Sequence, residues 1–220
     1  DQIDQLKNPF TMDINRRQFV TSSLAAGIIL PTAMAVAGTA SAGAHKAGGK
    51  FRLGMGHGST TDSLDPGTSE NGMSQNVCFA YCNHLTEVSK EGNLIPELAV
   101  EYGASADAKT WTFKIRPGVT FHDGKALTPA DVVGSFQFHM GEDTKSAGKS
   151  LLADVTNIAV NGDDVVFTLG NASADFAFIV SDYHFPILPV RDGQLDWASG
   201  IGTGGYIMEN YEPGVRAKFY

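Results

Sequence analysis

The sequence predicts a mixed α/β fold of the α+β kind, with hairpins and helices following one another along the chain. Three observations carry this prediction. Trp111, Phe113 and Ile115 alternate with Thr112, Lys114 and Arg116, the period of a strand with one buried face. Thr128-Pro129-Ala130-Asp131 then opens a helix: Thr128 stands at the N-cap, Pro129 at the first helical position, Asp131 near the positive end of the dipole. A second hairpin is predicted from Ile158 to Leu169, turned at Asn161-Gly162-Asp163.

The remaining elements follow in order. Phe51 to Met55 alternates apolar with polar or small residues and predicts a short strand. Residues 56–69 are Gly, Ser, Thr, Asp and Pro for the most part, a loop punctuated by Asp65-Pro66-Gly67. Val77, Cys78, Tyr81, Cys82 and Leu85 recur at three- and four-residue steps, predicting a helix from near Ser74 through Leu85. Glu91-Gly92-Asn93 turns the chain. Arg116-Pro117-Gly118-Val119 reads as a type II turn from which Val119-Thr120-Phe121 returns, and Asp123-Gly124 is a further turn. Val132, Val133, Phe136 and Met140 give the helix after Thr128 its apolar stripe. An apolar stretch from Phe176 to Val190 carries Tyr183, His184 and Phe185. Gly200 to Gly205 is a Gly-rich loop, and Tyr206 to Tyr220 reads as strand, Pro213-Gly214 turn, strand.

The first forty-odd residues read as an address. Arg16-Arg17 precedes Gln18-Phe19-Val20, an apolar run covers Leu24 to Gly38, and Ala40-Ser41-Ala42 supplies a small-residue cleavage site. The run is too short and too rich in Ala and Gly to span a bilayer core of about 30 Å. Residues 12–42 resemble a twin-arginine export signal, with Arg16, Arg17 and Phe19 matching. Asn15, Val20 and Thr21 depart from that pattern, so the Sec route stays open. Cleavage after Ala42 is expected, with Ala44 as the alternative. Residues 1–11 precede Met12, the natural start, and are read as upstream sequence.

Composition excludes more than it assigns. With 16 basic against 24 acidic residues and no Lys/Arg block, the chain lacks the footprint of a nucleic-acid binder. Cys78 and Cys82 are its only cysteines, too few for a thiolate metal site. On one helix their spacing places them about 6 Å apart. Two buried thiols are the expectation, though an oxidising compartment would permit a strained bond. His45, His57, His84, His122, His139 and His184 show no paired ligand spacing. No cofactor is implied.

Four stretches, taken together, resemble the family 5 extracellular solute-binding proteins of bacterial ABC importers. They are Ser63-Leu64-Asp65-Pro66; Leu85-Thr86-Glu87 with Gly92 through Ala99; Trp111 through Lys125; and Leu127 through Val133. Gly202-Thr203-Gly204 adds to the match, although Gly205 stands where the family often has Pro. The resemblance implies a two-lobe periplasmic-binding-protein fold, a peptide or similar small solute as ligand, permease subunits as partners, and a periplasmic location. Nickel-binding members make a metal complex the alternative ligand. It further implies that residues 43–85 and 199–220 belong to the first lobe and residues 86–198 to a small subdomain inserted in it. The second lobe is expected after Tyr220, so residues 43–220 alone are expected to bind ligand weakly or not at all.

In such proteins two lobes close on the ligand. The loop Glu70-Asn71-Gly72-Met73, between the Leu-Asp-Pro stretch and the first helix, is where family members approach it. Glu70 or Asn71 would supply polar contacts and Gly72 close backbone approach; the competing reading is a loop that only caps the helix. Tyr183 and His184 are further candidates, against a packing role. A hydrolase triad from His122-Asp123 with Ser135 or Ser59 can be drawn. No Gly-x-Ser-x-Gly elbow is present, and the expectation is that the chain is not an enzyme.

Overall fold

Of the predicted elements, the strand Trp111–Ile115 becomes the centre of the molecule. The structure, a computed structural model, describes residues 48–220. The residues read as an export signal, including Arg16, Arg17 and Ala42, lie outside the described residues. Residues 53–220 form one unit. β1 (Thr86–Val88) pairs with β2 (Leu94–Pro96) in a small antiparallel hairpin. β3 (Ala99–Ala104), β4 (Thr110–Ile115), β5 (Val155–Asn161) and β6 (Asp164–Leu169) form an antiparallel sheet in the order β3-β4-β6-β5. Further two-stranded pairs are β7 (Val190–Arg191) with β8 (Gln194–Leu195), and β9 (Met208–Glu212) with β10 (Arg216–Phe219). Among the described residues three α-helices accompany them: α1 (Gly72–Tyr81), α2 (Pro129–Gln137) and α3 (Phe176–Ile179).

The alternation read from β4 sets the core. Trp111, Phe113 and Ile115 are buried, as are Val165, Phe167 and Leu169 of β6. Their common face is covered by α2 through Val132 and Phe136, and by Phe176 and Phe185. The rings meet edge-on, Phe136 to Phe167 at 4.9 Å between centroids and Phe113 to Phe167 at 5.5 Å, a geometry that aromatic quadrupoles favour. The Trp111 indole N–H donates to the Ser173 carbonyl at 3.0 Å, so the large ring is buried without an orphaned donor. The hairpin turn at Gly162 has φ +63, as a two-residue connection requires.

α2 begins as the sequence predicts. Asp131, almost wholly buried, accepts the Thr128 N–H at 2.9 Å and the Thr128 hydroxyl at 2.7 Å. The same carboxylate takes the Lys125 ammonium at 2.6 Å and the Val190 N–H at 2.7 Å. One side chain thus ties the helix start to the preceding turn and to β7.

A second apolar cluster gathers Val77, Cys78, Tyr81, Cys82 and Leu188, with Leu64, Met73, Trp197, Met208 and Phe219 against it. Here three expectations are corrected. Residues 51–55 pair with no strand among the described residues, because alternation supplies a face but not a neighbour. α1 starts at Gly72 and stops at Tyr81, so Cys82 and Leu85 are buried from beyond the end of the helix. Val119–Phe121 makes no hairpin with β4, whose two edges are taken by β3 and β6; Thr120 bridges Ala126 instead.

Why α1 ends at Tyr81 is visible in the Gly-rich loop. The Gly204 N–H donates to the Tyr81 carbonyl at 2.8 Å, and the Tyr206 N–H to the Ala80 carbonyl at 3.2 Å. These bonds satisfy carbonyls that a helix end leaves open. A Cβ on Gly202 would lie 2.0 Å from the Tyr81 oxygen, and one on Gly204 2.5 Å from the Tyr81 carbonyl carbon. Only glycine lets the two backbones meet this closely.

Candidate functional site

The residues singled out at 70–73 form the N-terminal end of α1. Asn71 is its N-cap: Oδ1 accepts the Ser74 N–H at 3.0 Å, and Nδ2 donates to Asp62 Oδ1 at 2.7 Å. Both ends of the Asn71 amide are therefore engaged within the chain. Gly72 carries no steric demand, since an added Cβ would meet only the Met55 methyl at 3.6 Å. Met73 packs toward the second apolar cluster. Glu70 is exposed. Asn71 thus caps the helix, Met73 packs, and Glu70 is exposed.

The structure brings the second candidate segment to the same place. Tyr183, half-buried, has its phenol pushed up from the ordinary value by partial desolvation and then by the carboxylates of Asp182 and Glu70, while the nearby Gln75 amide works the other way. The Tyr183 segment is thus tied to α1 through Cys78, and its phenol lies within reach of the Glu70 charge, across 113 positions of chain that no local pattern encodes. Gln75 and Asp182 also lie near Tyr183 without having been singled out in the sequence. Asp182 was legible only as the residue beside Tyr183; Gln75 carried no signal.

His184 does something different. It is buried, its ring packs tilted against Tyr183 with centroids 4.2 Å apart, and its Nδ1 lies 2.7 Å from Asp182 Oδ1. It supports Tyr183 from behind rather than facing outward with it. The Tyr183 carbonyl in turn accepts from the Cys78 thiol at 3.8 Å, which binds this segment to the C-terminal half of α1.

The floor beneath is polar and hydrogen-bonded through Glu97, Asn83 and Thr203. Glu97 accepts the His84 N–H at 2.6 Å and is held by the Asn83 amide, whose Oδ1 accepts the Thr203 hydroxyl at 3.0 Å. Burial pushes the Glu97 carboxyl up, against the Asn83 and His84 hydrogen bonds. The hydrolase constellation does not assemble. His122 Nε2 sits 2.9 Å from the Gly204 carbonyl, and its Nδ1 accepts the Gly202 N–H at 3.4 Å. Ser135 is buried and donates to the Asp131 carbonyl at 2.8 Å, whereas Ser59 pairs with Thr61. Asp123 is salt-bridged to Arg191. Among the described residues no group of three or more His, Cys, Asp or Glu is placed to hold a metal ion.

With this geometry in hand, comparison with known proteins is decisive for the family. The model of the bacterial extracellular solute-binding proteins, family 5 Middle, matches residues 93–220. The chain belongs to that family. Its members bind peptides or other small solutes and work with ABC transporter permeases. A glutathione-binding protein, GsiB, of Pectobacterium atrosepticum is 43% identical over 75 residues, 34% of this chain and 15% of the relative. The dipeptide-binding protein of Escherichia coli is 28% identical over 153 residues, 57% of this chain and 29% of the relative. Among solved structures, Haemophilus influenzae OppA in complex with the peptide RPPGFSPFR superposes with a TM-score of 0.66 at 21% identity, over 74% of this chain and 36% of that one. That likeness shows the shared periplasmic-binding-protein fold. The chain spans little more than a third of the length of these proteins at most.

Proposed function

We propose that the protein captures short peptides and delivers them to the permease of an ABC importer, and that the α1 N-terminus with Tyr183 is one wall of its ligand cleft. The convergence of Glu70, Gln75 and Tyr183 carries the reading. An exposed carboxylate beside a half-buried phenol and an amide suits a ligand with a cationic end and main-chain groups to hydrogen-bond. The relatives named for glutathione and for dipeptides support the same ligand class. The protein binds and does not catalyse in this reading, and it acts in the periplasm after export, for which Arg16-Arg17 and Ala42 supply the twin-arginine signal and cleavage site. Residues 43–85 and 199–220 then form part of the first lobe and residues 86–198 its inserted subdomain.

The test is calorimetry on the full-length protein with a set of di- and tripeptides and, separately, Ni²⁺. Saturable heat with peptides supports the proposal. Heat with Ni²⁺ alone, or none with any peptide, overturns it.

A further inference from the structure

Behind the wall lies a buried group that the binding reading does not use. Cys78 and Cys82 are both buried and unbridged at the C-terminal end of α1. The two thiols are neighbours, each shifting the ionisation of the other, and the Cys78 thiol donates to the Tyr183 carbonyl at 3.8 Å. His84 and His184 flank the pair, each almost fully buried, each with an Nε2 that has no partner. Buried polar atoms normally find one, so two orphaned imidazole nitrogens around a dithiol call for an explanation. Their Nδ1 atoms face Glu97 and Asp182, at 3.9 and 2.7 Å. The 2.7 Å contact is a hydrogen bond between the His184 ring and Asp182, whereas 3.9 Å from His84 to Glu97 is too long for one.

We propose that Cys78 and Cys82 are a redox couple that closes to an intramolecular disulfide. The separation fits: the Cys82 N–H still bonds the Cys78 carbonyl at 2.8 Å, which keeps the two Cα atoms at about one helical turn, within the roughly 4.4–6.8 Å a disulfide spans. The usual objection to an i,i+4 bridge is that helical backbone fixes both side-chain directions. Cys82 escapes it, since its φ of −115° and ψ of 162° have left the helix. A cavity of about 10 Å³ beside Cys78, lined also by Ser74, Val77, Tyr81 and Pro186, gives its sulfur room to move. Contact with Cys82 and His84 lowers the Cys78 pKa to about 6 despite burial, which favours the thiolate that exchange requires.

The step balances with a disulfide as oxidant, either glutathione disulfide or a protein disulfide. The Cys78 thiolate attacks one of its sulfurs, releasing the first thiolate and leaving a mixed disulfide. Cys82 then attacks the Cys78 sulfur and releases the second. The two cysteines lose two protons and two electrons, and the oxidant becomes two thiols. Because both sulfurs are buried, exchange runs while the chain folds or when the last turn of α1 opens. The couple stands independently of whether the adjacent wall binds peptide.

Refolding the full-length protein from urea in glutathione buffers of graded ratio gives the oxidant access that burial denies. Acid quench, alkylation under denaturing conditions and mass spectrometry then count the species. The expected result is an unalkylated form lighter by two hydrogens, with Cys78 linked to Cys82, absent from C78S and C82S. Its equilibrium constant against glutathione should be at least tenfold higher in buffer than in urea, showing that the fold favours the bond. Fully alkylated cysteines at every ratio, only mixed or intermolecular disulfides, or an equal or lower constant in the folded state would each overturn the proposal.

Discussion

Replacing Asp131 by Asn should test how α2 is anchored. The carboxylate is 1% exposed and accepts from Lys125, Thr128 and Val190 through both oxygens. Asn keeps the shape but turns one oxygen into an NH₂ group. Whichever way the amide is set, that group confronts buried donors: Val190 N–H on one side, Thr128 N–H and hydroxyl on the other. Leaving such a donor unpaired costs about 1–3 kcal/mol, and the Lys125 ion pair is lost as well. Breaking a fully buried pair by removing one partner costs about 3–5 kcal/mol, and the partly exposed Lys125 places this site in the lower part of that range. We expect a loss of about 3–4 kcal/mol for D131N by the same reasoning, a large share of the roughly 5–15 kcal/mol of a typical domain. Urea unfolding followed by tryptophan fluorescence reads it directly, since Trp111 sits in the core that α2 covers. The midpoint should fall with the slope unchanged. A loss below about 1 kcal/mol would mean that the carboxylate is not the organising contact.

Two further outcomes follow from single residues. His139 is buried with its Nδ1 2.5 Å from the Ser146 hydroxyl, and burial lowers its pKa to about 4, with His184 pushing the same way and Asp182 opposing. The unfolded chain takes up this proton first as pH falls. The stabilising contribution is therefore complete above the ordinary histidine value of about 6.5 and lost as pH falls toward about 4. From about pH 7.5 to about pH 5 the loss comes to about 2 kcal/mol, read as urea midpoints; H139Q should lose that part of the slope, and an unchanged slope would refute it. In the Gly-rich loop, G202A places a Cβ 2.0 Å from the Tyr81 oxygen, whereas a Cβ at Gly205 meets nothing within 4 Å. Thermal melts should show G202A destabilised by about 3 kcal/mol and G205A within about 0.5 kcal/mol of wild type; equal melts would show that the loop does not seat on α1.

Local chemistry explains which features were legible in the sequence. The strand Thr110–Ile115, the capped start of α2, the Gly162 hairpin and the Pro213-Gly214 turn are each written in a few adjacent residues, and all four are found. α1 misled because helical periodicity continues through Cys82 and Leu85, while its end is set by backbone arriving from residues 202–206. β3 was not anticipated: Ala99–Ala104 holds exposed Glu101, Gly103 and Ala104, and exists because β4 offers it an edge. At the candidate site, the cap at Asn71 is local and readable. The approach of Tyr183 to Glu70 is tertiary, and neither stretch names the other.

The central claim is that the wall formed by Glu70 and Tyr183 meets the solute. Titrating one peptide that binds the full-length protein into wild type, E70Q and Y183F, with melts to show that each variant stays folded, addresses it most directly. The account predicts at least a tenfold loss of affinity, about 1.4 kcal/mol, in each variant with the melt unchanged. Wild-type affinity in both would place the ligand elsewhere and contradict it.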